Sequence, residues 1–196
     1  MSVIALRRAL TEPAVSSMGP LPQDAARLLL DLEAPPRLAA HLRAVHDTAR
    51  RLIDALGDAC PRLRFDQEEV LFGAATHDIG KVIHTDELTG PGHAHEQAGY
   101  ELLLAHGVDD RLARFARNHA TWTARDISTE DLLVSLADKI WKAKRLRDLE
   151  DLVVERICRV SGESPWQAFM VLDDVLDALA RDADERLAFQ ARHPIA

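Results

Sequence analysis

From Leu38 to Gly57 the residues Leu42, Val45, Ala49, Leu52, Ile53 and Leu56 recur at three- and four-residue intervals, and no other feature restricts the fold as tightly. That spacing lines one face of an α-helix, so the segment must bury the face against other helices. The same rhythm predicts a helix from Pro22 to about Glu33 and another from Asp66 through Val70, Leu71, Phe72, Ala74 and Ala75. Further helices are expected over 95–106, 108–120, 129–148, 150–160 and 165–192. Pro35-Pro36, Gly107, Ser128 and the Gly162 to Pro165 stretch punctuate the run, and Gly57 suits a C-terminal cap. No segment alternates convincingly with the two-residue period of a strand. The expectation is an all-α chain: a single helical domain over 21–196, preceded by a loosely ordered arm over 1–20 that ends in Gly19-Pro20.

Charge and cysteine content narrow the function classes. Lys and Arg total 24 against 32 Asp and Glu, a net charge of −8, which argues against stable nucleic-acid binding and against an anionic membrane surface. A phosphate-bearing substrate then needs a local positive site. Cys60 and Cys158 are too few for a disulfide framework or a zinc finger and fit a reducing cytoplasm. No stretch approaches the roughly 18 apolar residues of a membrane span, and Arg7-Arg8 is followed by no apolar secretory segment, so a soluble, cytoplasmic protein is expected.

Nine histidines are present, and their positions carry the chemistry. His46 sits beside Leu42, Val45, Ala49 and Ile53 on the inward half of its helix; taken alone, it reads as a satisfied core histidine rather than as a ligand. His77-Asp78 places a nitrogen and a carboxylate donor together at a helix end, and Gly80-Lys81 follows with a permissive backbone and a positive charge. Asp138 interrupts the apolar run Leu132, Leu133, Val134, Leu136, Ala137, Ile140 and Trp141, where a carboxylate needs a metal or an ion-pair partner such as an arginine. Residues 84–93, with Thr89, Gly90, Pro91 and Gly92, read as a loop. His41, His84, His106 and His193 are read as non-ligands, with His84 lining the pocket because it follows Lys81 by three residues.

In this order of residues the chain resembles the HD-domain metal-dependent phosphohydrolases. The resemblance covers about residues 38–147 and rests most specifically on HDIGK at 77–81 and SLADKIWKAKR at 135–145, with Arg43 three residues before His46. It implies a helical bundle of the HD-domain type with His46, His77, Asp78 and Asp138 as metal ligands. The strings HEQAG at 95–99 and NHATW at 118–122 resemble the stations of two-metal members, which adds His95 and His119 and makes Asp78 the bridging carboxylate. Either His93 or His95 fits the first station; Gly99, four residues after His95, favours His95. Only His119 stands at the second station, so a one-metal site made from the first four ligands stays open. Such a set suits one or two divalent ions among Mn, Fe, Co, Ni, Zn and Mg.

The reaction expected is hydrolysis by metal-activated water of a phosphomonoester or phosphodiester of a small soluble substrate, with nucleotides the class that the resemblance implies. Asp78 and Lys81 are the expected catalytic residues, and Arg43, His84, Lys142 and Arg145 the expected substrate contacts. Lys142 and Arg145 follow Asp138 by four and seven residues and would share a helix face as a basic rim, although Lys139, Lys144 and Arg147 lie in the same run and a merely solvated face stays open. Trp141, Trp166 and Phe169 read as core rather than as stacking platforms. The C-terminal stretch packs either on the metal-bearing helices or on a second copy, which leaves a homodimer open. Two other functions fit the same ligands: a di-iron oxygenase, or a non-catalytic sensor of metal or nucleotide.

Overall fold

The computed structural model describes residues 3–13, 18–124 and 126–195. Among them ten helices form: α1 (Val3–Thr11), α2 (Gln23–Asp31), α3 (Pro36–Ala59), α4 (Gln67–Thr76), α5 (Ala94–Ala105), α6 (Asp110–Asn118), α7 (Thr129–Ile140), α8 (Arg147–Ser161), α9 (Pro165–Ala180) and α10 (Ala183–Ala191). Two 3-10 turns, Ile79–Val82 and Thr85–Leu88, lie between α4 and α5. No strand occurs among the described residues, so the chain is all-helical.

The axis of the fold is α3. Between Leu38 and Ala49 every residue is buried, polar ones included, so the helix is covered on all sides rather than on one stripe. Its neighbours are α1, α4, α7, α9 and α10. The helix also runs through Gly57 and ends at Ala59, so that glycine is interior and caps nothing. Local signals explain the shorter elements. The Asp66 side chain accepts the Glu68 and Glu69 N–H groups at the start of α4, and Ser128 with Asp131 forms a reciprocal capping box on α7. Gly162 closes α8 in the left-handed conformation, with φ 75°.

The structure corrects the sequence reading at three further places. Residues 3–11 form a helix that buries Leu6, Ala9 and Leu10 against α3, so this part of the expected arm is docked; residues 1, 2 and 14–17 lie outside the described ones. The expected helix over 129–148 ends at Ile140, and the chain turns at Ala143, whose φ is 56°. The expected helix over 165–192 is two helices, α9 and α10, separated at Arg181 and Asp182. Among the described residues α9 lies on α3, α7 and α8, and α10 on α3. Among the described residues no helix is long and apolar enough to cross a membrane.

Candidate metal centre

Five elements converge on one buried cluster. His41 comes from α3, His77 and Asp78 from the end of α4, His95 from the first turn of α5, His119 from the end of α6 and Asp138 from α7. They fall into two groups, His41 with His77 and Asp138, and Asp78 with His95 and His119; within each group the donor atoms lie within 4.8 Å of one another. Asp78 joins the groups through its two oxygens. Its Oδ1 is 3.0 Å from His95 Nε2 and 3.4 Å from His119 Nε2, and its Oδ2 is 3.1 Å from His41 Nε2 and 3.8 Å from His77 Nε2. Asp138 Oδ1 lies 3.4 Å from His77 Nε2 and 3.6 Å from His41 Nε2.

Close backbone packing creates this meeting. A Cβ placed on Gly80 would lie 2.0 Å from the His95 carbonyl oxygen and 2.6 Å from the Gly99 nitrogen, so the turn after the His-Asp dyad rests directly on the backbone of α5. Two glycines, one on each side of that contact, bring Asp78 and His95 within reach.

The rings are also aimed. His77 Nδ1 is 3.1 Å from the Ala74 carbonyl and His119 Nδ1 is 2.9 Å from the Ala116 carbonyl; a carbonyl only accepts, so each Nδ1 carries the proton and each Nε2 faces the cluster. The Glu87 carboxylate grips His95 Nδ1 and accepts the Ala94 and His95 backbone N–H groups as well. Burial pushes the Glu87 carboxyl up, but the His95 ring and the two N–H groups outweigh it and hold the pKa down at about 2. Burial likewise opposes the charge on Asp78 and Asp138. For Asp78 the His77, His119, His41 and His95 rings prevail, and for Asp138 the His77 ring and Lys139, so both carboxyls stay well below the ordinary range.

The Nε2 atoms of His41, His77 and His95 are buried and make no hydrogen bond of acceptable geometry. Buried imidazole nitrogens without partners, pointed with carboxylate oxygens at two common centres, fit divalent cations. The donor set therefore suits the metal: His41, His77 and Asp138 on one side, His95 and His119 on the other, and Asp78 between them.

Beside the cluster lies a cavity of about 390 Å³, lined by His41, Asp78, Lys81, Trp141 and Lys142 among others. Lys81 Nζ is 2.5 Å from Asp78 Oδ2. Lys142 is partly desolvated at the wall, which pushes its ammonium pKa down.

The structure leaves other expected residues away from the cluster. His46 is five positions after His41, about 140° further round the helix; it is buried elsewhere, where desolvation lowers its pKa to about 4. His41, read from sequence as a non-ligand, takes the place assigned to His46. Arg43 is not among the residues lining this cavity: its guanidinium donates to the carbonyls of Ala9, Glu12, Met18 and Gly19 and fastens the N-terminal segment to α3. Arg145 is held by Glu150, Asp173 and Asp177, because the end of α7 at Ile140 separates it from the face that Asp138 occupies. His84 is not among the cavity-lining residues, since the 3-10 turn carries it past Lys81. His93 is exposed and pairs with Glu96, so of the two histidines at that station His95 is the one in the cluster. Glu87 carries no signal in the sequence: it stands eight residues before His95, in the short turn Thr85–Leu88, which has no periodic apolar pattern.

No curated protein matches the chain. A similar solved structure is the HD domain of the L. monocytogenes phosphodiesterase PgpH in complex with cyclic-di-AMP, at 14% identity and a TM-score of 0.49, over 80% of this chain and 94% of that one. Residues 38–141, more than half of the sequence and all six clustered donors among them, match the family described as HD domain, and the chain belongs to that family.

Proposed function

We propose that the protein is a metal-dependent phosphohydrolase acting on a phosphomonoester or phosphodiester of a small soluble substrate, with nucleotides the favoured class. The observation that carries this reading is Asp78, a buried carboxylate with one oxygen toward each group of donors and a lysine at its cavity side. A divalent ion held there supplies water of lowered pKa and polarises phosphoryl oxygens. The chain's own groups do the rest. His41, His77 and Asp138 would hold one cation and His95 and His119 a second, with Asp78 shared between the two groups. Lys81 faces the same cavity and offsets charge gathering on the phosphoryl oxygens. Lys142 adds a second cation at the wall, so a body of net charge −8 presents a positive spot to an anionic substrate. These two lysines favour phosphate chemistry over oxygen chemistry at the same donor set. A volume of about 390 Å³ suits a group of mononucleotide size.

The test is release of inorganic phosphate or of a mononucleotide over a panel of nucleotides by protein loaded with manganese or cobalt, read beside elemental analysis. Asp78→Ala is expected to abolish release, by about 1,000-fold or more, and to lower metal content. Unaltered turnover with full metal occupancy would reject the site; a wild type that binds nucleotides and hydrolyses none would support a sensor.

A further inference from the structure

The cavity beside the cluster has a wall that the family match does not reach. Leu187 and Gln190, both from α10, line it together with His41, Asp78, Lys81 and Lys142, although α10 begins more than forty residues after the matched segment ends. Leu187 is a large apolar side chain left 38% exposed, and Gln190 offers a neutral amide three residues on.

The position of α10 is built, not incidental. Arg186 is buried, and its guanidinium donates to the carbonyls of Ile140 and Trp141 at the end of α7 and of Leu179 at the end of α9. Arg51 of α3 pairs with Asp182 at 2.8 Å just before α10, and Arg37 donates to the carbonyl of Ala191, its last residue, and to that of His193 beyond it. The helix is thus pinned at both ends to the element that carries His41 and in the middle to the element that carries Asp138. Side chains on an element fixed this way keep their place relative to the metal donors, which recognition needs.

The cavity lining is mixed. His41, Asp78, Lys81, Glu87 and Lys142 are ionic or face the donor cluster, whereas Leu88, Trp141, Leu187 and Gln190 are uncharged. A phosphoryl group belongs with the lysines and the donor cluster. The two α10 side chains suit a neutral, partly apolar group, and a primary amide, with donors and an acceptor side by side, complements a ring edge bearing an acceptor and a donor.

We propose that α10 is the specificity wall of this site, with Leu187 packing on the non-phosphate half of the substrate and Gln190 hydrogen-bonding its polar edge. This rests on the phosphohydrolase reading above. The test compares adenosine 5′-monophosphate with phenyl phosphate, which has a ring but no polar edge, in manganese-loaded wild type, Leu187→Ala and Gln190→Leu. Gln190→Leu is expected to lower the ratio of kcat/KM for the nucleotide to that for phenyl phosphate about tenfold, through KM, the loss of one hydrogen bond that leaves its partner unsatisfied. Leu187→Ala is expected to raise KM for both. Calorimetric titration of adenosine 5′-monophosphate into metal-free protein gives a second readout, about tenfold weaker in Gln190→Leu. An unchanged ratio and equal affinities would overturn the inference while the wild type still hydrolyses. Failure of the underlying reading looks different: the wild type hydrolyses neither these two monoesters nor a diester such as bis(4-nitrophenyl) phosphate, and the inference falls with it.

Discussion

At the scale of single residues, the donor cluster depends on which nitrogen of each imidazole faces it. Glu87 is the clearest case, because it touches none of the proposed metal positions and yet fixes the ring that does: it holds His95 Nδ1 and leaves Nε2 toward Asp78. Groups that orient a metal-binding imidazole commonly change affinity by about 10–100-fold when removed. Glu87→Gln keeps the size but loses the charge, and is expected to weaken metal binding by about that factor in a competition titration with a chelator, with the thermal midpoint little changed. A variant with wild-type affinity would show that Glu87 only caps α5. His46 and His41 teach the complementary point. Both are buried on one helix, and Leu42, Val45, Ala49 and Ile53 place His46 inward; but α3 is covered on all sides, so inward has several directions and only one leads to the cluster. Apolar spacing reports burial and says nothing about which neighbour lies behind it.

At the scale of elements, the site is set by contacts between backbones more than by the helices themselves. The turn Ile79–Val82 sits on α5 so closely that Gly80 has no room for a methyl group, its neighbours being main-chain atoms that cannot swing aside. Gly80→Ala is expected to cost about 3 kcal/mol of stability and to lower metal content by separating Asp78 from His95, measured by denaturant unfolding and elemental analysis. Wild-type stability would mean that the turn stands off α5. In the sequence the same glycine reads only as a permissive exit from α4, since a close approach needs knowledge of the partner. Helix ends set a second limit. The spacing of Asp138, Lys142 and Arg145 promises one face only if α7 continues; it stops at Ile140, so Lys142 reaches the cavity and Arg145 instead ties the start of α8 to α9 through Glu150, Asp173 and Asp177. No proline or glycine marks that stop, and the left-handed Ala143 that makes the turn is an unusual residue for it.

At the scale of the whole molecule, the helical class and the segment bearing the donors were readable because periodicity persists through helix after helix and because the His-Asp dyad and the distal aspartate stand at spacings typical of the family. What sequence could not supply was long-range geometry: the docking of α1 on α3, the division of the C-terminal stretch into α9 and α10, and the return of α10 to a cavity far away in the chain. Those depend on Arg43, Arg186 and Arg37 finding main-chain carbonyls, contacts that leave no pattern in a single sequence. His41, and not His46, stands with His77, Asp138 and Asp78, and the whole site depends on this placement. It is tested most directly by elemental analysis of His41→Ala and His46→Leu, each purified beside the wild type and checked for a folded helical spectrum. The structure predicts that His41→Ala loses bound metal while His46→Leu, its buried space filled, retains the wild-type content; full metal in His41→Ala with loss in His46→Leu would contradict it.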